Sequence, residues 1–228
     1  MRAIKSIGQR TGSMRVRALF CLCLTLCLLP VTAVQGMAQY GDESGGVIGI
    51  TGSELPRYSY ATVSLTNGVL QGIEEEGVFT FRGIPYARPP LQHLRWRDPK
   101  PAEDWQGMRT AYSFSPACIQ SPFPKDSPLY RDPEVTSEVC LYLNVWSTDL
   151  DPARRAPVMV WIHGGSFTRG SGSLPDYDGH SLANDGVVLV TINYRLNIFG
   201  YLAHPRLSQE RGGSSGNYGL LDQIMALR

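Results

Sequence analysis

Apolar and polar positions divide the chain into a series of short elements. Thr62-Val-Ser-Leu65 and Val69-Leu-Gln-Gly-Ile73 flank Asn67-Gly68. That pair supplies the positive φ of a type I′ turn, so the pattern predicts an antiparallel hairpin. Val78-Phe-Thr-Phe81 predicts a further strand, and from Arg82 to Pro116 proline and tryptophan punctuate an irregular stretch. Three stronger strands follow at Leu141–Trp146, Val158–Ile162 and Val187–Ile192. The last two are nearly continuous apolar runs, as in strands covered on both faces. Ser181-Leu-Ala-Asn184 fits a short helix between them. Asn217 then stands as an N-cap residue, with Leu220, Leu221, Ile224 and Leu227 following at helical spacing and no stop signal before Arg228. Strands alternating with helices predict an α/β class. The expected sheet is mixed and mostly parallel, with an N-terminal antiparallel hairpin, and is incomplete at the C-terminus.

Ahead of the hairpin the pattern changes. Five basic side chains (Arg2, Lys5, Arg10, Arg15, Arg17) and no acid precede an apolar run from Ala18 to Leu29, and Pro30 and small or polar residues come after it. This is the order of a secretory signal, and the run falls well short of the roughly 20 residues that span a bilayer. An uncleaved anchor is the competing reading. Small residues at Gly36 and Ala38 suit cleavage after Ala38, with Gly36 a second candidate site. Residues 1–38 are therefore expected to be a signal peptide, 39–61 a flexible leader, and 62–228 the folded body. The expected destination is secreted or periplasmic, with no stable membrane span after cleavage.

Charge and cysteine content sharpen this picture. The chain carries 21 Lys and Arg against 20 Asp and Glu. Without the five basic residues of the signal the balance is 16 against 20, a mildly acidic body with no footprint for nucleic acid. Cys21, Cys23 and Cys27 lie in the apolar run, which leaves Cys118 and Cys140. In an oxidising compartment such a pair reads as one disulfide, the alternative being two unrelated thiols.

The stretch richest in chemistry is Val158-Met-Val-Trp-Ile-His163-Gly164-Gly165-Ser166-Phe167, where a strand runs straight into His-Gly-Gly. Glycines there let backbone N–H groups approach a substrate and hold the oxyanion of acyl transfer. A plain strand-ending turn is the simpler alternative, and context decides between them. Five blocks in order supply that context: Phe81-Arg-Gly-Ile-Pro-Tyr-Ala87 with Leu94-Arg-Trp96; Glu138–Trp146; Val160–Gly165; Val190–Arg195 with Phe199-Gly-Tyr-Leu202; and Gly216–Gln223. Together they resemble the N-terminal part of a type-B carboxylesterase, the cholinesterase and neuroligin branch of the α/β-hydrolases. The resemblance covers about residues 62–228.

The resemblance implies a carboxylic ester hydrolase working through a Ser-His-acid acyl-enzyme mechanism, with a small ester as substrate and no cofactor. It implies that Gly165 and Ser166 donate N–H groups to the oxyanion, that His163 and Gly164 support their loop, and that Cys118 and Cys140 are bonded. Most relatives have glycine where Ser166 stands. Glu138 and Asn144 would be structural. The loop between the cysteines holds Phe123 and Tyr130 but no tryptophan, which argues against choline esters.

The nucleophile, acid and histidine of such an enzyme are expected beyond Arg228. Gly212-Gly-Ser214-Ser-Gly216 matches the nucleophile motif in letters, yet it follows polar Leu207–Arg211 rather than a buried strand. His93, His180 and His204 are expected to be surface or structural residues. Glu74-Glu-Glu76 is expected to be a solvated charge run, and no cluster has zinc spacing. The chain alone is expected to be inactive. The competing class is a neuroligin-like adhesion or binding protein that lacks the nucleophile.

Overall fold

A computed structural model describes residues 58–127, 130 and 135–228. The signal segment and residues 39–57 of the leader lie outside these residues. The hairpin forms from β1 (Tyr58–Leu65) and β2 (Gly68–Glu75), with Leu65 opposite Gly68 across the Asn67-Gly68 turn. β1 begins four residues earlier than the alternation predicted, so residues 58–61, assigned to the leader, belong to the strand. Backbone pairing with Gly72–Glu75 overrides the weak pattern of Tyr58-Ser-Tyr.

The further strands are β3 (Val78–Pro85), β4 (Met108–Thr110), β5 (Ala117–Cys118), β6 (Thr136–Ser137), β7 (Tyr142–Ser147), β8 (Val158–Ile162) and β9 (Val188–Ile192). The main sheet runs β1-β2-β3-β7-β9-β8, with β4 paired to β2. It is mixed, with the antiparallel hairpin first. Within the main sheet parallel pairing is confined to β8–β9 and β2–β4, because β7 lies antiparallel to both β3 and β9. The expected parallel majority is therefore not present in this part.

Four α-helices follow: α1 (His180–Asn184), α2 (Asn197–Tyr201), α3 (Pro205–Arg211) and α4 (Tyr218–Ala226). α4 departs from its sequence pattern in two ways. Asn217 sits in the left-handed region (φ 58°) and makes no side-chain cap. The helix buries Tyr218, Gly219 and Asp222, while Leu220, Ile224 and Leu227 are exposed. The cause is polar. Buried Arg195 donates from Nη2 to Asp222 at 2.7 Å and from Nε at 2.8 Å, and its backbone N–H reaches the same carboxylate at 3.0 Å. Burial pushes the Asp222 carboxyl above its usual range, and the Arg195 hydrogen bonds pull it back. Gly219 lets α4 close on the Arg195 carbonyl; a Cβ there would meet that oxygen at 2.3 Å.

β8 also departs from expectation. It stands at the sheet edge with Val158 63% and Trp161 42% exposed, although its apolar run predicted cover on both faces. The interior lies instead around Trp146, Val78, Ala183 and Leu189, and around Leu70, Phe81, Ala61 and Ala111.

A third cluster gathers Ala87, Leu141, Tyr194 and Leu196 about Cys118 and Cys140, which are joined in a disulfide. The irregular segment 95–98 is strapped across the helices. Trp96 Nε1 donates to the Ile198 carbonyl at 2.8 Å, and Arg195 donates to the Arg97 carbonyl at 3.0 Å. Arg97 pairs with Glu210 at 2.7 Å, and Arg211 with Asp98 at 2.8 Å.

Candidate functional site

β8 delivers the chain into His163-Gly164-Gly165-Ser166, where three consecutive residues take positive φ: Gly165 (109°), Ser166 (53°) and Phe167 (61°). Glycine is required at 165 by space as well as by angle, because a Cβ would lie 2.0 Å from the Arg169 carbonyl oxygen. At Gly164 a Cβ would meet nothing within 4 Å. Ser166 accepts a left-handed conformation that costs an ordinary residue about 1 kcal/mol. Among the described residues no acceptor takes the N–H of Gly165 or Ser166. Two adjacent donors thus stand at the end of the strand without an acceptor among the described residues.

His163 lies beneath this loop. It is 2% exposed and stacks on Tyr194 with ring centroids 4.4 Å apart. The Tyr194 hydroxyl donates to the His163 carbonyl at 2.8 Å. Burial raises that phenol above its ordinary range, so it remains a donor at neutral pH. His163 Nδ1 lies 2.9 Å from the Gly164 carbonyl, an atom that only accepts, so the hydrogen sits on Nδ1. A Cβ at Gly170 would meet the same ring nitrogen at 2.4 Å, which shows how closely the loop wraps the imidazole.

Two side chains that the sequence reading did not single out hold the loop from outside. Gln120 clamps Gly170: its Oε1 accepts the Gly170 N–H at 2.6 Å, and its Nε2 donates to the Gly170 carbonyl at 2.8 Å. Asn197 donates to the Thr168 carbonyl at 2.8 Å and to the Ile119 carbonyl at 3.1 Å, while its own N–H bonds the Phe167 carbonyl. Arg169 lies over the Phe123 ring at 4.4 Å. Phe123 thus carries a cation from its own chain. The disulfide partner Cys118 stands two residues from Gln120, so the bond and the clamp share one short segment. A single sequence offers no signal for Gln120, which lies in an aperiodic stretch.

The far end of the loop is tied to the sheet. Asn144 accepts from the Gly83 N–H at 2.9 Å and donates to Thr191 at 2.9 Å; Thr191 donates to the Gly172 carbonyl, and Asn193 accepts from the Gly172 N–H. Glu138 holds Arg95 through two hydrogen bonds at 2.5 and 2.6 Å.

The remaining candidates lie elsewhere. Ser214 sits in the turn between α3 and α4, after the left-handed cap Gly212, and Ser215 bonds the backbone of His204. A nucleophile elbow needs a strand before it, and none stands there. His180 contacts Asp178 at 2.7 Å, and His204 caps α3. Glu74 accepts from Ser59 and from the Gly77 N–H. Among the described residues no three His, Cys, Asp or Glu gather as metal ligands, and no helix is long and apolar enough to cross a membrane.

Comparison with known proteins decides the family, because the Carboxylesterase family profile matches residues 59–228. The chain belongs to the Carboxylesterase family. It is 48% identical over 163 residues to a fumonisin B1 esterase from Sphingopyxis macrogoltabida, covering 71% of this chain and 29% of that protein. It is 43% identical over 173 residues to a para-nitrobenzyl esterase from Bacillus subtilis, covering 75% and 34%. An acetylcholinesterase from Bungarus fasciatus is 36% identical over 213 residues, covering 91% and 31%. Among solved structures a PNB esterase superposes with a TM-score of 0.65 at 42% identity, over 74% of this chain and 34% of that one. The fold of this carboxylesterase chain is therefore the α/β-hydrolase fold. It spans about a third of the length of these relatives.

Proposed function

We propose that the whole protein hydrolyses small carboxylic esters by serine acyl transfer, and that this chain contributes its oxyanion loop. The observation that carries the reading is the pair of unbonded N–H groups at Gly165 and Ser166, at the end of a strand and above a buried histidine. In the reaction a serine oxygen attacks the ester carbonyl, whose oxygen gains negative charge. The two N–H groups, fixed before the substrate arrives, stabilise that charge without reorganising. The acyl-serine bond forms as the alcohol leaves, and water then releases the acid. The chain spans about a third of its relatives' length, and we assign the serine, its histidine and an acid to the rest of the whole protein. His163 acts through the loop as a positioning residue, since its ring is enclosed by Tyr194 and Gly170.

Residues 1–38 act as an export signal and the body works in a secreted or periplasmic setting; the Cys118–Cys140 bond agrees with an oxidising compartment. The test is expression of the extended reading frame and assay with p-nitrophenyl acetate and butyrate. Hydrolysis that falls about 100-fold or more in Gly165→Ala supports the reading, the magnitude expected when an oxyanion donor is displaced. An extended frame without a serine elbow, or a folded protein with no turnover, would instead favour the non-catalytic binding class.

A further inference from the structure

A cleft of about 220 Å³ opens between β3 and the segment after β4. Arg82 and Arg109 line it, with the hydroxyl-bearing residues Thr110, Ser113, Ser115 and Tyr142. No acidic side chain lines this cleft, although the folded body as a whole is acidic. Neither arginine has a carboxylate partner among the described residues. Each lies on an aromatic ring instead: Arg82 is 4.8 Å from the Phe114 centroid, and Arg109 is 5.8 Å from that of Trp105. The Arg82 Nε is enclosed and unbonded among the described residues. A buried donor left without a partner is costly, and such groups normally meet an acid, water or a bound ion.

The cleft is built rather than incidental. The Arg82 N–H donates to the Ala111 carbonyl at 2.8 Å, which fixes one arginine strand to the segment bearing the other. Gly83 takes a φ of 71° and brings its backbone against the Ser113 carbonyl, where a Cβ would clash at 2.8 Å. Arg109 also lines the adjoining cleft of about 410 Å³, in which Glu103 is already paired with Arg88 at 3.0 Å.

We propose that the Arg82–Arg109 cleft binds a phosphate group. Two guanidinium forks and up to four hydroxyls offer more donors than the two oxygens of a carboxylate can accept, whereas phosphate presents acceptors in three directions. The group belongs to inorganic phosphate or to a phosphomonoester.

The test uses the full chain with its disulfide formed. Its thermal midpoint is measured in inorganic phosphate, in glycerol 3-phosphate and in sodium chloride of equal ionic strength. Either phosphate is expected to raise the midpoint above the chloride control, and a response to glycerol 3-phosphate alone assigns the ester as the source. Arg109→Gln is expected to weaken binding at least tenfold and Arg109→Lys less. Arg154→Gln, whose arginine is 77% exposed and paired with Asp149, is expected to bind as the wild type does. Arg82→Gln tests the second fork, and the Arg109 variants decide the matter if it fails to fold. No response beyond chloride, unchanged binding in Arg109→Gln, or equal loss in Arg154→Gln overturns the proposal.

Discussion

At the scale of single residues, the loop after β8 separates two adjacent glycines by a distance rather than by a letter. The 2.0 Å approach of the Arg169 oxygen at position 165 against open space at 164 predicts opposite outcomes. Gly165→Ala is expected to destabilise the fold by more than about 2 kcal/mol, and Gly164→Ala to stay within about 1 kcal/mol, both read from urea midpoints. Ser166 yields a second contrast. Ser166→Gly relieves left-handed strain but adds freedom to the unfolded chain, so stability should change by less than about 1 kcal/mol. Ser166→Val puts a β-branched residue at φ 53° and should cost about 2 kcal/mol in the same assay. The sequence marked all four residues of the loop, because His-Gly-Gly after an apolar run is a local pattern. It could not tell which glycine is irreplaceable, since the atom that decides lies four residues on and depends on how the loop curls back.

At the scale of elements, the loop is held by partners that are distant in sequence. Gln120 reaches Gly170 across 50 residues, bonding both its N–H and its carbonyl. Gln120→Ala would leave two backbone groups without partners and is expected to cost about 1–3 kcal/mol. In the extended enzyme it should lower kcat while KM changes little, the mark of a positioning residue. Helix α4 shows the converse failure of pattern reading. Leu220, Ile224 and Leu227 predicted the inward face, but the Arg195–Asp222 pair turns Asp222 inward and leaves those three exposed. Hydrophobic spacing reads only apolar faces, and a buried ion pair reverses it. Asp222→Ala leaves Arg195 buried without a counter-charge and is expected to destabilise the protein by about 3–5 kcal/mol, measured by thermal unfolding. The hairpin's turn, β7, β9 and α1 followed their patterns closely, because turn residues and strand pairing agree there with burial.

At the scale of the molecule, the apolar surface of β8 and the exposed leucines of α4 set the behaviour of residues 1–228 in isolation. Val158, Met159, Trp161 and Ile162 are all at least 40% exposed on an edge strand, a template for pairing with another chain. The isolated chain is expected to self-associate in size-exclusion chromatography, and Val158→Lys with Met159→Lys to shift it toward monomer.

The strap of residues 95–98 has a consequence in time. Trp96 has a φ of 53°, and its indole and its neighbours find their partners at Ile198, Glu210 and Arg211, about a hundred residues later in the chain. At a synthesis rate of roughly 5–20 residues per second, that separation is a wait of roughly 5–20 seconds. During this interval the hairpin and β3 can pair, while the strap that follows them has only Glu138, the partner of Arg95, to close upon. The contacts of Trp96, Arg97 and Asp98 in this segment are thus a late fastening, made only after β9 and α3 have left the ribosome.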